Sequence, residues 1–345
     1  MGFLNDHFPR LNEKAGIARR TMRQYWLSGS PRALAQMVRY PLARLRSGRP
    51  PFFIDIALTY RCQCRCVHCS AVSQADDGEE MSTAEVKTLM DEAASLGVMQ
   101  VIFSGGEPML RRDIVELVAH ATRLGMLVRL NTNGLLLTPE RARALKQAGL
   151  VLVGLSIDHP DPEVHDRLRG VPGLFENAME GVRLLHRAGI LVQFQVYVSR
   201  ETAGEPIRRI IARARELNVF CVFIFFAIAS GRWESAFDEL LTPEEEADVQ
   251  SLQDAGVVNV EFATPHTPCC GLARKLVYIG ASGNVSICPF VPYHMGNVRE
   301  EGFAAAWRRR SAVVDTQYLG RCPMNTREDR EVLKNHAASV AARSK

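Results

Sequence analysis

Between residues 53 and 227 the chain alternates apolar, β-branched runs with helical patterns, and this alternation constrains the fold more than any other feature. Strands are expected at 53–59, 101–103, 127–130, 150–157, 190–198 and 219–227. Helices are expected over about 82–96, 111–124, 139–148, 175–188 and 204–217. Ser82-Thr83-Ala84-Glu85 reads as a capping box that opens the first of them. Gly97, Gly125, Gly149 and Gly189 each stand just past a periodic segment, where a helix C-cap favours glycine. Strands separated by helices imply a parallel sheet with right-handed crossovers. Such a sheet is either doubly wound or curled into part of a barrel, and periodicity does not choose. In both, the chemistry sits at the carboxyl edge of the strands.

That edge carries the cysteines. Cys62, Cys64, Cys66 and Cys69 follow the first strand directly. The spacing C-x3-C-x2-C of Cys62, Cys66 and Cys69 supplies three thiolates, enough to hold three irons of a [4Fe–4S] cube. The fourth iron is then free to take a substrate or cofactor. Four of the nine cysteines fall within eight residues, which suits metal binding in a reducing compartment better than a disulfide framework. A zinc site on all four is a poor match, since zinc favours C-x2-C pairs separated by a longer arm. Cys64 reads instead as a small buried hydrophobe.

A second motif, Ser104-Gly105-Gly106-Glu107-Pro108, ends the second strand at the same edge. Paired glycines let a backbone approach a ligand closely, and the carboxylate beside them can accept hydrogen bonds from an ammonium group. A lone Gly-Gly would be read as a tight turn. Asn131-Thr132-Asn133-Gly134 ends the third strand. Leu155-Ser156-Ile157-Asp158 ends the fourth, followed by His165-Asp166-Arg167-Leu168-Arg169-Gly170.

Taken in this order, the segments resemble the motifs of the radical S-adenosylmethionine (SAM) superfamily. The resemblance implies an α/β fold, a partial (β/α)6 TIM-like barrel, with a [4Fe–4S] cluster on Cys62, Cys66 and Cys69. The amino and carboxylate groups of SAM would chelate the open iron. It further implies that Gly105, Gly106 and Glu107 hold the SAM amino group, and that Ser156 bonds a carboxylate or ribose oxygen. The backbone of His68 would lie under the adenine, and Asn133 belongs to a T-N-G stretch common in the family. Asp158 reads as a ligand or as the cap of the following segment. Arg169 reads as the partner of a carboxylate, either a ligand's or that of Asp166 in an exposed loop.

The C-terminal third holds a second cysteine set: Cys269, Cys270, Cys288 and Cys322. With Gly283, Gly296-Asn297-Val298, a hairpin of 277–280 with 285–288 and a helix ending near Trp307, it resembles a truncated SPASM/Twitch auxiliary-cluster domain. The further cysteines of the full pattern are missing, with Asn325 standing where the next would fall. That leaves ligands for one auxiliary iron–sulfur cluster: Cys269 or Cys270, Cys288 and Cys322, with His294 a candidate for the open position. Structural cysteines of a degenerate domain are the plain alternative. Cys221 reads as core.

Residues 1–50 hold ten Lys and Arg against two Asp and Glu, a net of +8, whereas the whole chain carries +4. Leu34, Met37, Val38, Pro41, Leu42 and Leu45 form one apolar stripe there, so this extension either packs on the body or touches an anionic membrane surface. No run of about 18 apolar residues and no secretory signal is present, and a cytoplasmic chain, peripheral at most to the inner membrane face, is expected. The expected divisions are 1–50, a basic helical extension; 51–235, the core; 236–327, the auxiliary-cluster region; and 328–345, a C-terminal helix or tail. The implied activity is reductive cleavage of SAM to a 5′-deoxyadenosyl radical that removes hydrogen from a substrate. Flavodoxin or ferredoxin would donate the electron, and no nucleic acid is involved. A small metabolite, tetrapyrrole or lipid is favoured over a peptide, because the truncated cysteine set and short N-terminal extension depart from peptide-modifying members. A non-catalytic iron–sulfur accessory protein is the reading of another class, opposed by the intact motifs.

Overall fold

The computed structural model describes residues 22–24, 26, 31–35, 40, 50–75, 78–254, 256–260, 275–316, 322, 324 and 326–342. The first half of the body runs β1 (Phe53–Thr59), α1 (Thr83–Ser95), β2 (Gln100–Gly105), α2 (Ile114–Arg123), β3 (Leu127–Thr132), α3 (Pro139–Gln147) and β4 (Leu152–Ser156). Two helices follow, α4 (Pro162–Arg169) and α5 (Leu174–Arg187), then β5 (Leu191–Val198), α6 (Glu205–Glu216) and β6 (Cys221–Phe226). The remainder is α7 (Pro243–Ser251), β7 (Val258–Val260), β8 (Leu276–Ile279), β9 (Val285–Ser286), α8 (Val298–Thr316) and α9 (Arg327–Ala342). The strands form one sheet in the order β7-β6-β5-β4-β3-β2-β1-β8-β9. Every neighbouring pair is parallel except β8 with β9.

The six expected strands and five expected helices are all present. The capping box forms as read: Ser82 Oγ accepts from the Glu85 backbone N–H at 3.3 Å, and the Glu85 carboxylate accepts from the Ser82 N–H at 2.7 Å. Gly97, Gly125, Gly149 and Gly189 all take positive φ, between 70° and 98°, at their helix ends.

The structure adds elements that local pattern did not announce. β7 and β8 fall in the C-terminal third, yet they extend the core sheet at opposite sides, β8 pairing in parallel with β1. Helix α8 does not end near Trp307; it continues to Thr316, with its break at Gly302 instead. Of the apolar stripe in the N-terminal extension, Met37, Val38, Pro41, Leu42 and Leu45 lie outside the described residues. Leu34 is exposed, whereas Ala33 is buried against Met99, Leu127 and Val151 at the amino-terminal mouth of the sheet, with Tyr40 packed beside it. Arg32 donates to the Arg123 carbonyl at 3.0 Å. These described residues therefore pack on the body. Among the described residues, no helix is long and apolar enough to cross a membrane.

The strands have two unlike faces. Ile54, Ile56 and Leu58 of β1, Val101 and Phe103 of β2, Val128 and Leu130 of β3, and Val192, Phe194 and Val196 of β5 join the main core with Val86, Leu89, Ile114 and Leu117 of the helices. Their alternating neighbours Asp55, Ser104, Asn131, Ser156, Gln195, Tyr197, Phe225 and Tyr278 line a cavity. Side chains alternate along a strand, so an apolar outer face carries the helices and a polar, aromatic inner face is left to surround a ligand.

Candidate functional site

The cavity measures about 530 Å³ and opens at the carboxyl edge of the sheet, in the size range of small-molecule sites. Cys62, Cys64, Cys66, His68 and Cys69 line it together with Gly105, Gly106, Asn133, Ser156 and Arg169. Seven residues read from the sequence as SAM-cluster or SAM ligands thus meet at one cavity, along with His68 and Arg169. Glu107 and Asp158 are not among its lining.

The cysteine loop is fixed by backbone contacts on both sides. Gly106 N–H donates to the Thr59 carbonyl at 2.7 Å, and Glu107 N–H to the Arg61 carbonyl at 2.9 Å. A Cβ on Gly105 would lie 2.3 Å from the Thr59 carbonyl oxygen, and one on Gly106 would lie 2.3 Å from that of Arg61. The close approach that the two glycines permit is to the chain's own loop as well as to the cavity. On the other side, Arg65 N–H and Val67 N–H donate to the carbonyls of Arg169 and Leu168 at 3.0 and 2.9 Å. The last carbonyls of α4, which have no partner within the helix, are satisfied by the cysteine loop.

Cys62 is exposed, Cys69 is partly buried, and Cys64 and Cys66 are buried. Cys64 and Cys66 pack on Leu174, with Leu135 and Val171 beside them. Hydrogen bonding with Cys64, then the nearby Arg169 guanidinium, outweigh burial and hold the Cys66 thiol down to about 6. Cys64, sharing its proton with the sulfurs of Cys62 and Cys66, is pushed up. A protonated, packed Cys64 beside more acidic thiols suits a core role for Cys64. Among the described residues, no three His, Cys, Asp or Glu side chains stand around one point as a single ion would require.

The contacts of Glu107 are with its own chain. Its carboxylate is fully buried and accepts from Thr132 Oγ at 2.8 Å, Asn133 N–H at 2.9 Å and Met109 N–H at 3.0 Å. It braces the ends of β2 and β3 and shapes the Gly105-Gly106 turn. Asn133 is held by this brace, and its side-chain amide points to Cys62 Sγ at 3.8 Å.

Asp158 and Arg169 find each other. Arg169 Nε donates to Asp158 Oδ2 at 2.5 Å, and Tyr197 N–H donates to Oδ1 at 3.1 Å. Burial alone would raise the Asp158 carboxyl, but the Arg169 charge and hydrogen bond hold it down to about 2. Arg169 is not exposed and does not pair with Asp166, which accepts the Phe175 N–H at 2.8 Å instead. Arg169 Nη1 also reaches to 3.8 Å from Cys66 Sγ. His68 has a side-chain role as well. Its ring stacks on Tyr197 with centroids 4.5 Å apart and meets the edge of Trp233 at 5.9 Å. Burial pushes its pKa down to about 4, so at neutral pH it faces Asp158 uncharged.

Sequence reasoning missed the cavity floor. Asp55, Asn131, Gln195, Tyr60, Tyr278 and Phe290 all line it. The available signal was a polar residue at every second position of otherwise apolar strands, as in Phe53-Ile54-Asp55-Ile56 and Val192-Gln193-Phe194-Gln195. Asp55 is only 6% exposed, and Ser104 donates to its Oδ1. Desolvation dominates over the Ser104 hydrogen bond and the Arg129 charge, and raises its pKa to about 6. The native state therefore binds more protons than the unfolded chain between about pH 4 and 6, and stability falls as pH rises through that window. Asp55→Asn is expected to raise stability at pH 7 by about 3 kcal/mol, since two pKa units correspond to about 2.7 kcal/mol. The gain should shrink toward zero below about pH 4, where both carboxyls are neutral. Urea midpoints of both proteins at pH 4 and pH 7 measure it, and a gain that grows on acidification would contradict it.

Of the auxiliary set, Cys269 and Cys270 lie outside the described residues. Cys322 is buried with Ile228, Ile287, Val291, Met295 and Met324, and Cys288 packs against the same cluster. His294 Nδ1 lies 3.3 Å from Ser286 Oγ. Cys221 is buried in β6, as expected of a core residue.

Known proteins share both regions. The family model described as the radical SAM superfamily matches residues 56–214, and one described as an iron–sulfur cluster-binding domain, SPASM, matches residues 269–329. The AdoMet-dependent heme synthase of Methanosarcina barkeri is 31% identical over 287 residues, covering 74% of this chain and 82% of that protein. The PqqA peptide cyclase of Gluconobacter oxydans is 33% identical over 253 residues, covering 69% and 70%. Among solved structures, Streptococcus suis SuiB bound to S-adenosylmethionine superposes with a TM-score of 0.63 at 16% identity, over 83% of this chain and 77% of that one, a likeness of fold.

Proposed function

The chain belongs to the radical SAM superfamily, and on that premise we propose that Cys62, Cys66 and Cys69 hold the SAM-binding [4Fe–4S] cluster of an enzyme acting on a tetrapyrrole. Membership makes it a SAM-dependent enzyme with an iron–sulfur cluster, and the SPASM match adds an auxiliary cluster. The donor set fits. Three cysteine sulfurs on one short loop face one cavity, and soft thiolates are the ligands that iron–sulfur clusters select. The proposed divisions remain an extension over 1–50, the core over 51–235, the auxiliary-cluster region over 236–327 and a C-terminal helix or tail over 328–345.

When bound, the cluster and SAM supply one-electron cleavage to a carbon radical that removes a hydrogen atom. The chain's residues orient and shield that chemistry. Gly105 and Gly106 leave their backbone open to the cavity, and Ser156 and Asn133 offer hydrogen bonds from the ends of β4 and β3. The stack of His68, Tyr197 and Trp233 excludes water from one wall. A flavodoxin- or ferredoxin-class donor would approach at Cys62, the exposed thiol.

The observation that carries the substrate reading is the rest of the cavity lining. It is aromatic at Tyr60, Tyr197, Phe225, Tyr278 and Phe290, with Arg65 and Arg232 on the same cavity. That combination suits the carboxylate-bearing rim of a flat conjugated ring. The cavity must also take SAM, so it would admit a side chain from the rim of the macrocycle rather than the whole ring. Similarity to a heme synthase over most of both chains supports this. A peptide presenting one side chain is the second reading, favoured by the PqqA cyclase relative at comparable coverage. Anaerobically reconstituted protein with dithionite and SAM should be offered iron-coproporphyrin III and, separately, a PqqA peptide. 5′-Deoxyadenosine formed in step with a mass change of the porphyrin is expected. Formation in step with a mass change of the peptide alone would transfer the assignment to the peptide.

A further inference from the structure

The loop after β6, Ser230-Gly231-Arg232-Trp233, drew no reading from the sequence. We propose that it is a clamp on the cysteine loop, in which Arg232 both positions Cys66 and Cys69 and raises the reduction potential of the cluster they hold. The proposal rests on the radical SAM reading of those cysteines.

The geometry is specific to this loop. Arg232 N–H donates to the Cys69 carbonyl at 3.1 Å, and Arg232 Nη1 donates to the Cys66 carbonyl at 2.7 Å. One residue therefore grips two of the three ligand-bearing positions. Gly231 sits at φ +61°, and a Cβ there would lie 2.0 Å from the Cys69 carbonyl oxygen and 2.6 Å from Ser70 Cα. No side chain fits at that contact. The clamp is itself anchored. Ser230 Oγ donates to the Phe290 carbonyl at 2.7 Å, and Arg330 of α9 donates to the carbonyls of Glu234, at 2.8 Å, and of Ala229. The loop thus ties the cysteine motif to the segment beside Cys288 and to the C-terminal helix.

The charge points the same way. The Arg232 guanidinium lies on the ligand loop itself, 2.7 Å from the Cys66 carbonyl. Arg169, the other cation beside these sulfurs, is neutralised by Asp158. Arg232 forms no ion pair with a carboxylate among the described residues, so its charge is not compensated in that way. A cation near an iron–sulfur cluster stabilises the added electron, and hydrogen bonding around the ligands tunes the potential further.

Two measurements test the proposal without relying on turnover. In the metal-free protein, amide hydrogen exchange over 65–70 should be markedly faster in Gly231→Ala than in wild type. In the reconstituted protein, an EPR-monitored redox titration without SAM should give Arg232→Gln a potential lower by about 59 mV. That corresponds to a tenfold fall in the ratio of reduced to oxidised cluster. Arg232→Lys, which keeps the charge, should restore most of the shift. Equal potentials in wild type, Arg232→Gln and Arg232→Lys at full iron content would overturn the electrostatic role. Unchanged exchange in Gly231→Ala would overturn the clamp. Failure of the premise looks different: a wild-type protein that takes up no iron refutes the reading of the cysteines and the proposal with it.

Discussion

Replacing Cys62, Cys66 and Cys69 together with Ala is expected to abolish formation of 5′-deoxyadenosine from SAM and to lower iron from about eight to about four per chain. The four that remain belong to the auxiliary cluster implied by the SPASM match. The loop loses its ligands but keeps its docking, because the hydrogen bonds from Gly106, Glu107, Arg65, Val67 and Arg232 are all made by or to backbone. The variant should therefore fold, and circular dichroism and a retained urea midpoint for the metal-free protein verify that. Cys64→Ala is the internal control. Its thiol packs on Leu174 and is pushed toward the protonated form, so iron and SAM cleavage should survive with a stability loss of about 1 kcal/mol. Iron content and 5′-deoxyadenosine are read on the same samples. Cleavage of SAM by the triple variant, or its loss in Cys64→Ala, would reassign the ligands.

The contrast between Cys64 and its neighbours shows what the sequence carries. Spacing separated the three cysteines from the fourth, because a ligand pattern is local and each thiol must turn to the same side of one loop. Helix stops at Gly97 or Gly149 were equally legible, since a residue at positive φ is a local demand. The parallel pairing of β8 with β1 was not, because partners more than 200 residues apart leave no mark in either strand. Glu107 illustrates a different limit. Its place beside two glycines gave no sign of two of its donors, Thr132 and the Asn133 backbone, which come from the next strand. Asp55 was written as a polar residue in an apolar strand and went unread, although the alternation it follows is the same one that defines the cavity. Helix α4 was hidden for the opposite reason. The stretch around His165 was read as a motif rather than as a helix opened by Asp161, whose side chain accepts from the Glu163 N–H at 2.9 Å.

Arg169→Met is expected to be the most destabilising single substitution near the site, at about 3–5 kcal/mol, because it leaves a buried carboxylate without its partner. Asp158 is 1% exposed, and with Arg169 gone it is left with the Tyr197 N–H and the neighbouring rings of His68 and His165. The pH dependence separates this from a loss of packing. In the wild type the Asp158 pKa lies near 2, below its unfolded value, so the stability it contributes is present above about pH 4 and is lost as pH falls toward 2. In the variant burial outweighs the contacts that remain and moves the folded pKa above the unfolded one, so stability now falls as pH rises. The gap between the two proteins should therefore widen from pH 4 to pH 7 in urea titrations. A second change, Asp158→Asn, removes the stranded charge and should recover a large part of the loss at pH 7. A gap independent of pH, with no recovery in the double variant, would mean that Arg169 contributes through its aliphatic stem alone. The functional consequence follows from the same contacts. Arg169 Nη1 faces Cys66 Sγ, and its backbone carbonyl receives the Arg65 N–H, so the residue links the fourth strand's carboxylate to the cysteine loop. Arg169→Lys keeps a charge for Asp158 but not the fork that reaches both groups. It should recover much of the stability while leaving the Cys66 thiol less acidic, measurable as slower alkylation of the metal-free protein at pH 7.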